Sequence, residues 1–213
     1  MQFWIYDETN GDTCEGATIG ASMYGFSADL FEGCKYNAHL AQNADQIYQI
    51  RSSNMSCILF SISAIEAKLN ELISMFASIG DEDSIWKQVQ EKYSRKSTAD
   101  KWNMIVKVTG GKRWEHTEEP FRSFNMVKAL RNELVHYKGE LLGKDQAPDK
   151  KVQEIMTELG IKSTASFMED DCSSWVSDLI DCKELAPLVV KFITPIYENM
   201  NEYLSHEVLK SES

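Results

Sequence analysis

Arg131, Asn132 and His136 are the residues of this sequence whose types and spacing best fit a chemical reaction. They form the pattern R-N-x-x-x-H near the end of a strongly helical stretch. A guanidinium binds phosphate oxygens in a fixed geometry, and an imidazole transfers protons near neutral pH. Such a pair suffices in principle to cleave RNA without a metal ion, because the 2′-hydroxyl of RNA is itself the nucleophile.

The helical repeat places these side chains on two sides of their helix. At about 100° per residue, Asn132 and His136 share one stripe, one turn apart. Arg131 lies on another side, within an apolar arc formed by Val127, Leu130, Leu134 and Val135. An arginine in such an arc is costly unless a carboxylate, an interface or a ligand phosphate meets it.

A carboxylate that can meet Arg131 lies on an earlier predicted helix. Ser63, Glu66 and Asn70 fall at positions i, i+3 and i+7 and form a polar stripe beside an apolar face. If the two helices pack side by side, Glu66 pairs with Arg131 or orients His136. A carboxylate that only satisfies Arg131 is as good an interpretation as a contributor to catalysis.

These two segments together resemble the HEPN domain (higher eukaryotes and prokaryotes nucleotide-binding), a compact α-helical bundle. The motif of that family is R-x4–6-H, often with a polar residue directly after the arginine. This sequence has the shortest such spacing, with Asn132 in the polar position. By helix order the resemblance covers about residues 40–206, although only residues 63–70 and 131–136 carry it.

The resemblance implies a metal-independent endoribonuclease, often a toxin or antiviral effector that a partner protein such as an antitoxin regulates. Two protomers of the family commonly join their motifs in one cleft, so a homodimer is implied. His136 would then act as general acid or base, Arg131 would stabilise the phosphate, and Asn132 would orient the histidine or the RNA. The implied products carry a 2′,3′-cyclic phosphate and a 5′-hydroxyl.

The chain departs from the family in several places. One branch has a tyrosine two residues after the histidine, where a partner nucleotidyltransferase modifies it. Here Tyr137 follows His136 directly and Lys138 takes that position, so this regulation is not supported. The resemblance does not account for residues 1–36 and 139–168. Many family members only bind or scaffold, and the acidic composition keeps open a non-catalytic module that binds a nucleotide or a protein. A purely structural domain of a larger complex is a third interpretation.

The composition is that of an ordinary globular protein, with 213 residues, 43% hydrophobic and 26% charged. The net charge of −11 argues against nonspecific nucleic-acid binding, because long-range repulsion opposes the phosphate backbone. It favours a selective substrate or a basic partner. No apolar run approaches the roughly 20 residues that span a bilayer. Because the first residues also lack the pattern of a signal peptide, we expect a cytoplasmic protein without a membrane partner.

The five cysteines are widely spread and form no C-x-x-C pair. A zinc site needs closely spaced ligand pairs, so we expect reduced, partly buried thiols. The sequence therefore predicts no metal and no cofactor.

The pattern predicts an all-α helical bundle with a short β-prone N-terminal arm. The arm is residues 1–36, with β-prone runs at 2–6 and 17–24; the helical domain is 37–206, and 207–213 is a frayed tail. The predicted helices are 37–51, 54–79 with Asn54 as N-cap, 83–93, 98–108, 120–138, 149–159, 169–182, and a last one from 183 that Pro195 kinks or divides.

A loop around residues 110–116 offers a second contact for nucleic acid. Lys112, Arg113 and Trp114 can touch RNA by charge and stacking, and His116 lies beside them. A solvated loop is the preferred interpretation. His39 and His206 are expected at the surface, and Trp86, Trp102 and Trp175 in the core.

Overall fold

The computed structural model describes residues 2–6, 19–79, 83–139, 147–162, 166–168 and 171–204. The fold is all-α, as the sequence predicts. The helices of the described residues are α1 Ser27–Asn43, α2 Ile47–Ile79, α3 Ile85–Lys92, α4 Thr98–Thr109, α5 Phe121–Val135, α6 Lys150–Glu158, α7 Trp175–Ile180, α8 Leu185–Glu198 and α9 Met200–Leu204. None of these helices is both long enough and apolar enough to cross a membrane.

Two short antiparallel hairpins accompany the helices. Strand β1, Gln2–Tyr6, pairs with β2, Ile19–Tyr24, in a register that runs from Gln2 opposite Tyr24 to Tyr6 opposite Ile19. The β-prone runs predicted at 2–6 and 17–24 form this hairpin over the described residues, whereas α1 already begins at Ser27, inside the predicted arm. Strand β3, Ser166–Met168, pairs with β4, Asp171–Ser173. The prediction of a helix over 169–182 is wrong at its start, because β4 occupies those residues and α7 begins only at Trp175, capped by Ser174.

The chain forms two compact units. The first unit contains Met1–Ala28, Glu66–Trp114 and Met200–Ser213, and the second contains Asp29–Ile65 and Glu115–Asn199. The division into an arm of residues 1–36 and a helical domain of 37–206 stays a prediction. The predicted tail, 207–213, lies outside the described residues, as does His206.

The predicted first helix, 37–51, is wrong at both ends, because α1 begins at Ser27 and α2 begins at Ile47. The carboxylate of Glu71 accepts hydrogen bonds from the backbone N–H groups of Phe26 and Ser27, at 2.6 and 2.8 Å, and so caps α1 from a distant part of the chain. Gly33 lies inside α1, where a Cβ would lie 3.1 Å from the ring of Phe60. The glycine therefore serves close packing of α1 on α2.

Asn54 is the predicted N-cap of the second helix, and this prediction is wrong. It lies inside α2 and is fully buried, with 0% exposure. Its side-chain amide donates to the carbonyls of Ile180 and Cys182, at 2.8 and 2.9 Å, and its oxygen accepts from the N–H of Ala186 at 3.1 Å. Asn54 thus joins α2 to the end of α7 and caps the first turn of α8.

The predictions for the remaining helices agree with the structure to within a few residues. Ser97 caps α4, Asp149 caps α6, and α8 continues through Pro195 to Glu198 before α9 begins at Met200. In the second unit, α5 packs against α6 and α8. The fully buried side chains at the centre of these helices are Phe121, Phe124, Val127, Leu130, Val152, Ile155, Ile193 and Ile196.

Candidate functional site

Helix α5 carries the R-N-x-x-x-H motif at the end where it leaves the core. From Phe121 to Val127 the helix is buried at every residue but Arg122. Arg122 forms an ion pair with Glu154 of α6. This enclosed first half fixes the axis of α5, so the residues of its last turn have a defined position.

His136 terminates α5. Its backbone N–H donates to the carbonyl of Asn132 at 3.0 Å, and its φ and ψ of −105° and 21° take the chain out of the helix. The side chain is exposed, and so is that of Asn132. The helix therefore ends three residues before the predicted end at Lys138, and the imidazole stands at the helix terminus.

The structure brings Asn132 and His136 together at a cleft of about 480 Å³ in the second unit. The predicted sharing of one helical stripe explains this, since both side chains leave the same side of α5. The other residues that line the cleft come from the end of α5, from the segment before α6 and from α7. They are Glu133, Tyr137, Lys138, Gly139, Ala147, Pro148 and Trp175.

Arg131 is half-buried. Arg131 is not among the described residues that line the cleft, in keeping with its predicted place on another side of the helix. Among the described residues that line this cleft, Lys138 is the basic one. The motif thus divides into a pair that lines the cleft, Asn132 and His136, and an arginine that is not among the described lining residues.

Trp175 and Tyr137 form the aromatic wall of the cleft. Their ring centroids lie 6.5 Å apart at an interplanar angle of 78°, an edge-to-face contact. Trp175 is buried, as predicted for a core residue, but it also lines the cleft. Sequence reasoning missed Tyr137, Lys138 and Trp175 as site residues. For Tyr137 and Lys138, the only signal in the sequence is their position directly after His136. No signal in the sequence indicates that Trp175 belongs to the site.

The predicted supporting residues, Glu66 and Asn70, bond to α4 within the first unit. Glu66 accepts a long hydrogen bond, 3.5 Å, from the hydroxyl of Thr98, and Asn70 accepts one of 2.8 Å from the ammonium of Lys101. Burial lowers the pKa of Lys101, and the negative charge of Glu66 opposes that effect. Glu66 and Arg131 belong to different units, and their pairing stays a prediction.

The loop after α4 is exposed at Lys112 and Arg113, in agreement with the preferred interpretation of a solvated loop, and the alternative of an RNA contact is wrong for Trp114. Trp114 is buried, with its ring at 5.5 Å and 78° from that of Trp102, so its face is not available for stacking on a base. His116 is exposed, and its Nδ1 lies 3.0 Å from the side-chain nitrogen of the buried Asn125.

The predicted core position of Trp102 is confirmed. Trp86 is only half-buried and stacks on Phe76.

Cys34, Cys57 and Cys182 are free thiols. Cys34 and Cys57 are both buried, with their sulfur atoms 3.2 Å apart. Within the described part of the chain, no group of three His, Cys, Asp or Glu side chains is placed to hold a metal ion.

The sequence matches no protein-family model and no curated protein, and the structure matches no solved structure.

Proposed function

We propose that this protein is a metal-independent endoribonuclease of a bacterial defence or toxin–antitoxin type, with the cleft at the end of α5 as its active site. The observation that carries the proposal is the exposed His136, which lines that cleft beside Asn132 and Lys138. In one cleft, a proton-transfer group can perform one of the two proton transfers of RNA transesterification, and a cation can stabilise the charge on the phosphate. The resemblance to the HEPN family points the same way.

The reaction needs two proton transfers. A base removes the proton of the 2′-hydroxyl, the 2′-oxygen attacks the adjacent phosphorus, and the bond from phosphorus to the 5′-oxygen breaks. An acid protonates the leaving 5′-oxygen, so the products carry a 2′,3′-cyclic phosphate and a 5′-hydroxyl. His136 performs one of these transfers, and Asn132 orients the imidazole or the ribose. In a composite site, the same histidine of a second copy performs the other transfer.

The developing charge on the phosphate requires a cation. The resemblance assigns this role to Arg131, whereas Lys138 is the cation that lines the cleft within one copy. In a homodimer the two roles are compatible, because a second copy can bring its own Arg131 to the phosphate. Replacing Arg131 and Lys138 separately by alanine tests which of them stabilises the charge on the phosphate.

An apolar face on α2 supports a homodimer. Tyr48, Met55 and Leu59 follow one another at spacings of seven and four, which places them on one side of the helix. They are 68%, 45% and 45% exposed. Burying such side chains in an interface is favourable, and a second copy is the occupant that the composite site requires. Leu59→Glu should then convert a dimer to a monomer in light scattering, whereas a wild-type monomer would contradict this part of the proposal.

A non-catalytic module that binds a nucleotide or a protein partner is the second candidate. Arg131 is not among the described residues that line the cleft, and this favours the second candidate, because the arginine of the catalytic pair is then not supplied to the cleft by the same chain. This candidate predicts no RNA cleavage at any protein concentration, together with a ligand that occupies the cleft and protects His136 from chemical modification.

Cleavage of a labelled RNA in EDTA tests the proposal. His136→Ala should lower the cleavage rate at least about 100-fold, the usual contribution of a general acid or base. His39→Ala is the matched control, because His39 is an exposed histidine on α1 and should leave the rate unchanged. Cleavage that survives His136→Ala would overturn the assignment. Arg131→Ala and Lys138→Ala, measured in parallel, identify the cation that serves the phosphate.

A further inference from the structure

A second cleft, of about 680 Å³, lies in the first unit and is lined by basic side chains. Lys96, Lys107 and Arg113 line it together with a single carboxylate, that of Asp100. The volume falls in the range of small-molecule sites in proteins. This cleft shares no residue with the one at His136.

The protein as a whole makes such a cluster unexpected. The chain has 33 acidic residues and 22 basic ones, so carboxylate partners are in excess. Lys96 and Lys107 nevertheless form no ion pair with any residue that the structure describes. Like charges gathered in one cleft repel one another unless an anion joins them. The arrangement therefore fits an anion from outside the chain.

The backbone that presents these cations is held firmly. Three hydrogen bonds fix the loop around Arg113: the indole N–H of Trp102 donates to the carbonyl of Lys112 at 2.7 Å, the N–H of Trp114 donates to Asn103 at 2.8 Å, and the N–H of Lys112 donates to the carbonyl of Tyr203 at 2.6 Å. A site whose backbone is already ordered loses less entropy when a ligand binds.

Gly111 shows how closely this loop is fitted. A Cβ at this position would clash with the carbonyl oxygen of Tyr203, so only glycine allows the loop to approach α9. Lys96 belongs to a turn between α3 and α4 in which its N–H donates to the carbonyl of Tyr93 at 2.9 Å. Lys107 lies on α4. Three separate segments therefore contribute basic residues to the lining of one cleft.

The remaining lining identifies the class of anion. The half-buried ring of Tyr93 and the side chains of Met104 and Val106 give the cleft an apolar wall. An aromatic ring stacks on any flat heterocycle, and ammonium and guanidinium groups bind phosphate oxygens strongly. Asp100 is already engaged in the cap of α4, because it accepts from the hydroxyl of Ser97 at 2.7 Å. Its charge is therefore partly satisfied within the protein.

We propose that this cleft binds an organic phosphate with a flat ring, of which a nucleoside diphosphate is a representative. The phosphates lie among Lys96, Lys107 and Arg113, and the ring lies against Tyr93. This site is separate from the proposed ribonuclease site and does not depend on its activity.

Isothermal titration of the full chain with uridine and adenosine diphosphates tests the proposal. One diphosphate should bind per chain, inorganic pyrophosphate should compete, and the nucleosides without phosphate should not bind. Lys107→Ala and Arg113→Ala should each weaken binding about ten-fold, as expected for loss of one charge-assisted contact. Tyr93→Ala should weaken the binding of the nucleoside diphosphates about ten-fold but leave the binding of pyrophosphate unchanged, because only the nucleotides have a ring that can stack on Tyr93.

Two controls keep this result independent of folding and of the ribonuclease. Lys92→Ala removes an exposed lysine that does not line the cleft and should leave the affinity unchanged. His136→Ala should also bind normally, even though it should lose RNA cleavage. The proposal is overturned if the diphosphates do not bind, if Lys107→Ala and Lys92→Ala bind equally well, or if a short RNA needs these cations while the diphosphates do not bind.

Discussion

Replacement of Asn54 should destabilise the protein far more than its place on a long helix implies. The side chain is fully buried and makes three hydrogen bonds to the connection between α7 and α8. Asn54→Ala removes all three. The carbonyl of Ile180 and the N–H of Ala186 then lose this partner, whereas the carbonyl of Cys182 still accepts from Leu185 at 3.2 Å. Two polar groups, the part-buried carbonyl of Ile180 and the buried N–H of Ala186, are thus left without the bond that Asn54 gives them.

The size of the effect follows from those two groups. A buried polar group without its hydrogen bond costs about 1–3 kcal/mol, so Asn54→Ala should lower the free energy of unfolding by about 3 kcal/mol. Asn54→Asp keeps an oxygen for the N–H of Ala186 but turns another oxygen toward two carbonyls. It should be at least as destabilising near neutral pH, and less so in acid, where a protonated carboxyl donates one hydrogen bond.

Urea unfolding followed by circular dichroism measures these differences. Asn43→Ala is the matched control, since Asn43 is an exposed helical asparagine whose amide bonds only to the carbonyl and side chain of His39 on its own helix. It should change the free energy of unfolding by less than about 0.5 kcal/mol. A loss below about 1 kcal/mol for Asn54→Ala, or one equal to the control, would refute the role assigned to Asn54.

Three further predictions follow from single contacts. Glu71→Ala should lower the free energy of unfolding by about 2 kcal/mol in urea unfolding, because its carboxylate caps α1 at Ser27, and Glu71→Gln should lose less. The hydrogen bond to Cys34 and burial raise the pKa of the Cys57 thiol above its ordinary 9.0. The folded state then holds this proton more tightly than the unfolded state, so the stability from Cys57 is complete below pH 9 and decreases above it. Above pH 9 the free energy of unfolding of the wild type should fall relative to that of Cys57→Ala, by an amount that approaches about 1.4 kcal/mol per pH unit. Urea unfolding of both proteins at several pH values measures this difference, and a difference that does not change with pH would contradict the prediction. Gly111→Ala should lower the melting temperature, because its Cβ meets the backbone of Leu204 at 2.7 Å, and an unchanged melting temperature would exclude this close approach.

The parts of the fold that the sequence predicts well are those governed by local signals. Ser97 and Asp149 are side-chain caps directly before their helices, and the burial of Trp102 follows from the apolar period of α4. Local rules failed where the partner of a residue is remote in sequence. Asn54 has the residue type of an N-cap, and its three partners lie more than 120 residues further along the chain. Ser27 is capped by Glu71 in the same remote manner.

The candidate site was likewise predictable only where local signals determine it. The helical period of 3.6 residues places Asn132 and His136 on one side of α5, and the structure brings both to one cleft. The wall of that cleft comes from Pro148 and Trp175, whose approach depends on how separate segments pack. The basic cleft around Lys107 was missed because its cations are spread over three segments, each of which resembles an ordinary solvated surface. For the loop near Arg113 the sequence favours a solvated loop over an RNA contact, and Trp114, the residue that would stack in such a contact, is buried.

The end groups of the RNA products test the central claim most directly. Mass spectrometry of fragments formed by the wild-type protein in EDTA should show a 2′,3′-cyclic phosphate on one side of the cut and a 5′-hydroxyl on the other. His136→Ala should yield no such fragments, whereas His39→Ala should yield them at the wild-type rate. Fragments with a 5′-phosphate, or the same cyclic-phosphate fragments from His136→Ala, would contradict the account.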